Sequence, residues 1–238
     1  MSIYDPIARL YDPWSRSVVE DIEFYVDEAR ASGGPVVELA VGTGRVAVPI
    51  AEAGIPVIGV DSSARMLDVA REFAQSRGVA DLVDLRAGDM REPPVAERVP
   101  LVICPFRSLL HMPGEAEKRR ALQAVNGLLE DDGRFVFDVF APSPEDIEET
   151  HGRWLEREPG IFERADWDEA SRTLTLSVRR GGDAATMELH WLSSTEWLRL
   201  LVVEGFEVDA LWGWFDRRPY MGGEDMIFSC CVSRPERR

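Results

Sequence analysis

The chain has 238 residues, is 45% hydrophobic and carries a formal net charge of -16. That size buries a sizeable core without disulfide or metal staples, and α/β folds of this length commonly form one domain. The acidic balance, with no concentrated basic patch, repels a phosphate backbone, so no nucleic-acid partner is expected.

Residues 1–34 are polar and aromatic, and Tyr4-Asp5-Pro6 recurs as Tyr11-Asp12-Pro13. Asp before Pro suits a helix N-cap with Pro at the first helical position. A helix is expected over about residues 15–30, closed by Gly33-Gly34. An α/β alternation follows, with strands over 36–39, 57–60, 82–86, 101–104 and 134–139 and helices over 45–53, 64–76 and 115–129. Asp131-Asp132-Gly133 is expected to stop the last of these helices. Strands separated by helices imply a parallel sheet with right-handed crossovers. The rhythm changes after Pro142-Ser143-Pro144. Residues 173–178 alternate with period two, Gly181-Gly182 offers a turn before 187–192, and Trp154, Phe162 and Trp167 lie in similar short runs. This pattern predicts an antiparallel meander of three or four strands. Ser194 or Thr195 is expected to cap a helix through Val203, and residues 206–215 and 226–232 close the chain as two strands.

Gly42 and Gly44 follow the first strand and permit a sharp turn and close approach to a ligand, with Ala47 in place of the third glycine of a dinucleotide fingerprint. Asp61, about 20 residues on, directly follows the second strand, where a carboxylate can accept both ribose hydroxyls. The competing reading of Asp61 is a helix N-cap, with Ser62 or Ser63 as rivals for that role. Glu38 sits in an otherwise apolar strand, where an unpaired charge is costly. A dinucleotide would bring a pyrophosphate that this carboxylate repels, whereas S-adenosylmethionine brings an ammonium and a sulfonium. The alternative is a Glu anchoring the first turns of the next helix. In Gly88-Asp89-Met90 the carboxylate can accept from an adenine amino group while Met90 and Met66 pack on the ring. The competing reading is an ordinary turn aspartate.

With these residues in place, the chain resembles the class I S-adenosylmethionine-dependent methyltransferases. The matching segments are VVELAVGTGRVAVPIA, VIGVDSSARMLDVAR, LRAGDM, LVICPFRSLLHM and LLEDDGRFVFDVF, over roughly residues 35–140, with a closing hairpin in GFEVDALWGWF and DMIFSCCV. The resemblance implies an α/β, Rossmann-like, seven-stranded and mostly parallel sheet, with helices on both faces and an inserted antiparallel β lid. Residues 1–34 would form a helical lid segment, 35–142 and 193–238 the cofactor domain, and 143–192 the inserted lid. It further implies that Glu38, Ala40, Gly42 and Gly44 hold the methionine end of the cofactor. Asp61 would bind the ribose, Ser62 and Met66 would border the nucleoside, Asp89 and Met90 would bind adenine, and Cys104 would lie below the sulfonium. Ala40 stands where the family usually has its first glycine. Tyr4 and Tyr11 resemble the tyrosines that small-molecule members fold over cofactor and acceptor. At Cys104-Pro105-Phe106-Arg107, enzymes that methylate exocyclic amines of nucleobases often place Asn or Asp first. Cys104 accepts hydrogen bonds poorly, and SLLHM is closer to small-molecule enzymes acting on glycine, sarcosine or amino sugars. Phe106 and Arg107 are therefore candidates for acceptor contact.

His111 is the candidate general base, since histidine titrates near neutrality; its other reading is capping or packing. The three cysteines and three histidines have neither disulfide nor metal spacing, so no metal is expected. No signal-peptide pattern and no apolar stretch long enough to span a membrane is present, which fits a cytoplasmic monomer or homodimer. The expected function is methyl transfer to a nitrogen or oxygen of a small molecule. An NAD-dependent oxidoreductase on a similar sheet and a non-catalytic S-adenosylmethionine-binding module are the alternatives.

Overall fold

The structure, a computed structural model, describes residue 4, residues 8–14 and residues 19–233. A short helix α1 (Ala8–Trp14) precedes α2 (Glu20–Ser32). Asp12-Pro13 thus lies in the last turn of α1 rather than opening a helix, and Asp5-Pro6 lies outside the described residues. Then come β1 (Val36–Leu39), α3 (Ala47–Glu52), β2 (Val57–Asp61), α4 (Ala64–Ser76), β3 (Val83–Ala87), β4 (Val99–Cys104), α5 (Gly114–Leu128) and β5 (Leu129–Phe140). The chain continues through α6 (Pro144–Thr150), β6 (Trp154–Glu158), β7 (Ile161–Asp168), β8 (Thr173–Arg180) and β9 (Asp183–His190). It closes with α7 (Ser194–Val203), β10 (Phe206–Trp212) and β11 (Asp225–Val232).

Seven strands form one sheet in the order β10-β11-β5-β4-β1-β2-β3, and β6 to β9 form a separate antiparallel sheet in chain order. β1 pairs in parallel with both β2 and β4, so the strand order reverses around β1. In open α/β sheets, ligands bind outside the carboxyl ends of the strands at such a reversal. All four residues of β1 are buried, as expected for a strand covered on both faces by helices. α4 buries Met66, Leu67, Ala70 and Ala74, an apolar stripe at helical spacing, and its N-cap is Ser63, whose hydroxyl accepts from the Met66 N–H at 3.2 Å. Ser63 therefore takes the capping role that competed for Asp61.

Two boundaries differ from the sequence reading for local reasons. The Asp131-Asp132-Gly133 segment is not a free loop but part of β5, where the register against β4 shifts after Val99. A Cβ on Gly133 would sit 3.0 Å from the Glu130 nitrogen and the Val99 oxygen, so glycine fits the bulge where another side chain would clash. The cap of α7 is Ser193, not Ser194 or Thr195. Its hydroxyl accepts from the Glu196 N–H while the Glu196 carboxylate accepts from the Ser193 N–H at 2.9 Å, a reciprocal box that needs Glu three positions on.

The meander has four strands. Alternate residues Leu174, Leu176 and Val178 of β8 and Met187 and Leu189 of β9 are buried, and they join the main core beneath β5. Phe137 of β5 stacks between Phe135 (4.7 Å) and Phe228 (5.0 Å) and meets Trp197 at 5.5 Å. Each fully buried aromatic or aliphatic side chain of this kind stabilises the fold by roughly 1.5–3 kcal/mol. The second sheet is thus anchored on the core, at the carboxyl end of β5.

Candidate active site

The loop after β1 is a chain of left-handed residues: Ala40 (φ 56), Gly42 (φ 56) and Gly44 (φ 82). A side chain at Gly44 would in addition meet Val48 Cγ2 at 3.2 Å and Ala70 at 3.4 Å. Ala40 adopts the conformation despite its Cβ, at a cost of roughly 1–2 kcal/mol. Asp61, at the end of β2, closes on this loop. Its Oδ2 accepts from the Gly42 N–H at 2.9 Å and its Oδ1 from the Ser63 N–H at 2.7 Å. A carboxylate has about four acceptor positions, so hydroxyl groups of a ligand can share it.

Glu38 projects from β1 beside the loop and is 2% exposed. Its Oε2 is buried and has no hydrogen-bond partner among the described residues. Burial raises its pKa well above the usual carboxylate value, against the lowering field of Arg45. An orphaned buried carboxylate oxygen at a glycine loop fits a cationic ligand atom and disfavours a phosphate. The donor and acceptor set therefore suits S-adenosylmethionine.

Arg45, at the end of the loop, was not singled out in the sequence. It donates to Asp21 of α2 at 2.7 and 2.5 Å, with Asp21 fully buried. Its guanidinium lies 4.7 Å from the Phe106 ring centroid. The pair ties α2 to the glycine loop, and removing Arg45 would take this partner from the fully buried Asp21 at a cost of about 3–5 kcal/mol. Asp89 and Met90 follow β3. Arg91 donates to Asp89 Oδ1 through its backbone N–H (2.8 Å) and Nε (2.9 Å) and holds the Asp89 carboxyl below its usual range. Met90 packs on the core, Met66 is buried at 2%, and Ser62 is exposed.

A second cluster surrounds a cavity of about 500 Å³ between the N-terminal segment, the ends of β4 and β5, and the inner face of the four-stranded sheet. Tyr4, Tyr11, Phe106, Arg107 and His111, all named from sequence, line it together. The Tyr4 hydroxyl lies 2.7 Å from His111 Nε2 and 3.3 Å from Met187 Sδ. Burial pushes His111 down to about 4, with His190 and Lys118 adding to the effect and a hydrogen bond to the Glu188 backbone opposing it. The ring is neutral at pH 7, and with one nitrogen serving Glu188 the other accepts from Tyr4. Trp14 Nε1 donates to Glu163 of β7 at 2.9 Å, which fastens α1 to the second sheet. Cys104 lies at the end of β4, buried outside the cavity lining, and burial pushes its thiol pKa up.

Asp138 of β5 also lines the cavity and was missed. It stands alone in Phe-Val-Phe-Asp-Val-Phe, the same kind of signal that singled out Glu38. Among the described residues, no helix is long and apolar enough to cross a membrane.

A methyltransferase-domain model matches residues 36–133, from β1 through the bulge in β5. The methyltransferase CcbJ of Streptomyces caelestis superposes with a TM-score of 0.84 at 26% identity, over 98% of this chain and 99% of that one. Residues 36–133 thus match a methyltransferase domain, and the fold is that of the class I S-adenosylmethionine-dependent methyltransferases. The chain is also similar to a dTDP-3-amino-3,6-dideoxy-alpha-D-glucopyranose N,N-dimethyltransferase of Streptomyces fradiae, 28% identical over 198 residues, covering 78% of this chain and 70% of the relative. A glycine/sarcosine N-methyltransferase of Aphanothece halophytica is 29% identical over 128 residues, 52% of this chain and 48% of the relative. The chain spans about half the length of several of the curated relatives it matches.

Proposed function

We propose that the protein transfers a methyl group from S-adenosylmethionine to the nitrogen of a small-molecule amine. The observation that carries the cofactor is the buried, unpartnered Glu38 Oε2 beside the glycine loop. When bound, the cofactor supplies an electrophilic methyl carbon on a sulfonium leaving group. Glu38 would accept from its ammonium, the loop at Ala40, Gly42 and Gly44 would pack along its methionine portion, and Asp61 would accept from its ribose hydroxyls. Ser62, Met66, Asp89 and Met90 would flank the base.

The acceptor would occupy the 500 Å³ cavity. Its wall pairs aromatic rings (Phe140, Trp167, Trp214) with carboxylates that outnumber the cations Arg107 and Arg157. Such a wall attracts a protonated amine and packs an apolar or sugar body. The relatives named for amine acceptors support nitrogen over oxygen. Once the bound amine has given up its proton to solvent, Tyr4, held by neutral His111, would direct it so that its lone pair points at the methyl carbon. His111 near 4 is a weak base, so orientation in a dry cavity, rather than proton abstraction, is the contribution of this pair. The test is release of S-adenosylhomocysteine with glycine, sarcosine, amino sugars and phenols. Release with an amine and a mass gain of one methyl on it are expected; release with phenols alone would refute nitrogen as the acceptor atom.

A further inference from the structure

The turn that leaves β4 holds two consecutive residues, neither of them glycine, in the left-handed region: Phe106 (φ 57) and Arg107 (φ 62). Both line the cavity. The Phe106 ring meets Tyr11 edge-on at 6.2 Å and lies under Arg45. The Arg107 guanidinium lies 4.7 Å from the Phe140 centroid and donates to Asp225 at 2.7 Å. L-residues rarely adopt this conformation in succession, and it persists only where the surroundings over-determine it. One side chain does so. Asp138, 5% exposed, accepts from the Phe106 N–H through Oδ1 (2.8 Å) and from the Arg107 N–H through Oδ2 (2.9 Å). Tyr25 of α2, which is fully buried, donates to the same Oδ1 at 2.6 Å.

We propose that Asp138 is a positioning residue of the acceptor site: its carboxylate clamps the Phe106–Arg107 turn in its left-handed form, and Tyr25 sets the strength of that clamp from behind the sheet. This rests on the methyltransferase reading only for its effect on turnover. The three hydrogen bonds are made together only by the ionised form, because a protonated carboxyl turns one acceptor oxygen into a donor facing an N–H. Burial pushes Asp138 up to about 6, with Asp21 raising it further and Tyr25, Arg107 and the Phe106 N–H lowering it. Asp21 and Tyr25 face it from α2, Cys104 and Arg107 from the β4 end, and Arg45 from the glycine loop, while its register partner on β11 is Ile227. The clamp is therefore made above about pH 6 and released below it.

The test is a pH titration of the Phe106 and Arg107 backbone amides by NMR on the full chain, which needs no acceptor. Both amide shifts are expected to titrate together near pH 6. Asp138→Asn should abolish that titration. Tyr25→Phe, which removes a hydrogen bond outside the cavity, should move the midpoint to higher pH. In turnover with an amino sugar, Tyr25→Phe should shift the acid limb of kcat/KM the same way while S-adenosylmethionine affinity stays within threefold. Amide shifts that do not titrate between pH 5 and 7, or an unmoved midpoint in Tyr25→Phe, would overturn the proposal. A titrating turn with no amine turnover would overturn the function and leave the clamp standing.

Discussion

The glycine-loop end and the cavity end of this site are built in different ways. At the loop end, the groups are close in sequence and held largely by main chain: Asp61 closes on the Gly42 and Ser63 amides, and Glu38 alone is left without a partner for one oxygen. At the cavity end, the groups come from α1, the β4 turn, β5 and the second sheet, and apart from the Phe106–Arg107 turn, whose amides Asp138 holds, they are held by side chains on other side chains, as in Tyr4–His111 and Trp14–Glu163. The difference separates two kinds of specificity. Main chain positioned by a strand order serves one cofactor in many proteins, while a cavity assembled from distant side chains can be refitted to a new acceptor without touching the loop.

Substitutions at the two ends should therefore divide cleanly. The largest effect is expected at Asp61→Ala, which removes a carboxylate held by two backbone amides and, in the proposed function, shared with the ribose; at about 1.5–3 kcal/mol per charged hydrogen bond, calorimetry should read at least a hundredfold loss of S-adenosylmethionine affinity. Next is Tyr4→Phe or His111→Asn, which should lower kcat/KM for the acceptor by roughly tenfold, on the order of one hydrogen bond, with cofactor affinity unchanged. An equal loss in cofactor affinity would mean that the two ends are not separable. The same assay should show no pH limb from His111 between pH 5 and 8. Its folded value is lowered, so its stability contribution is complete above the unfolded value of about 6.5 and is lost as pH falls through about 4. The smallest effect is Ser193→Ala, remote from both ends. Loss of the cap should cost about 1 kcal/mol and lower Tm by about 2–4 °C, with neither affinity nor turnover altered.

The loop end was legible in sequence because its elements carry short-range signals: an apolar run, glycines, and a carboxylate just past the next apolar run. Glu38 stood out because a lone charge in a buried strand demands a reason. Asp138 obeys the same logic inside an equally apolar strand, yet it does not follow a glycine loop and its partners are amides of a turn some 30 residues earlier. Asp21 and Arg45 were invisible for a related reason, since nothing local marks a first-turn acid of α2 as the partner of a loop arginine. Tyr4, Tyr11, Phe106 and Arg107 were singled out through family resemblance and His111 through its titration range, but their convergence on one cavity depends on how the second sheet docks. That docking is a matter of long-range packing, since the buried faces of β8 and β9 share one hydrophobic core with Phe137 and Trp197.

The central claim is that a buried carboxylate selects a cationic cofactor, and Glu38→Gln tests it most directly. Without ligand, Glu38 has a raised folded pKa, so its stability contribution is present below the unfolded value of about 4.3 and is lost as pH rises through the folded value. The substitution should therefore leave the ligand-free Tm at pH 7 unchanged or higher. In calorimetry with S-adenosylmethionine, S-adenosylhomocysteine and NAD, the wild-type protein should bind both adenosyl compounds and not NAD, and Glu38→Gln should weaken S-adenosylmethionine by about tenfold to a hundredfold, the loss of one charged hydrogen bond. Binding of NAD alone, or S-adenosylmethionine affinity indifferent to Glu38→Gln, would contradict it.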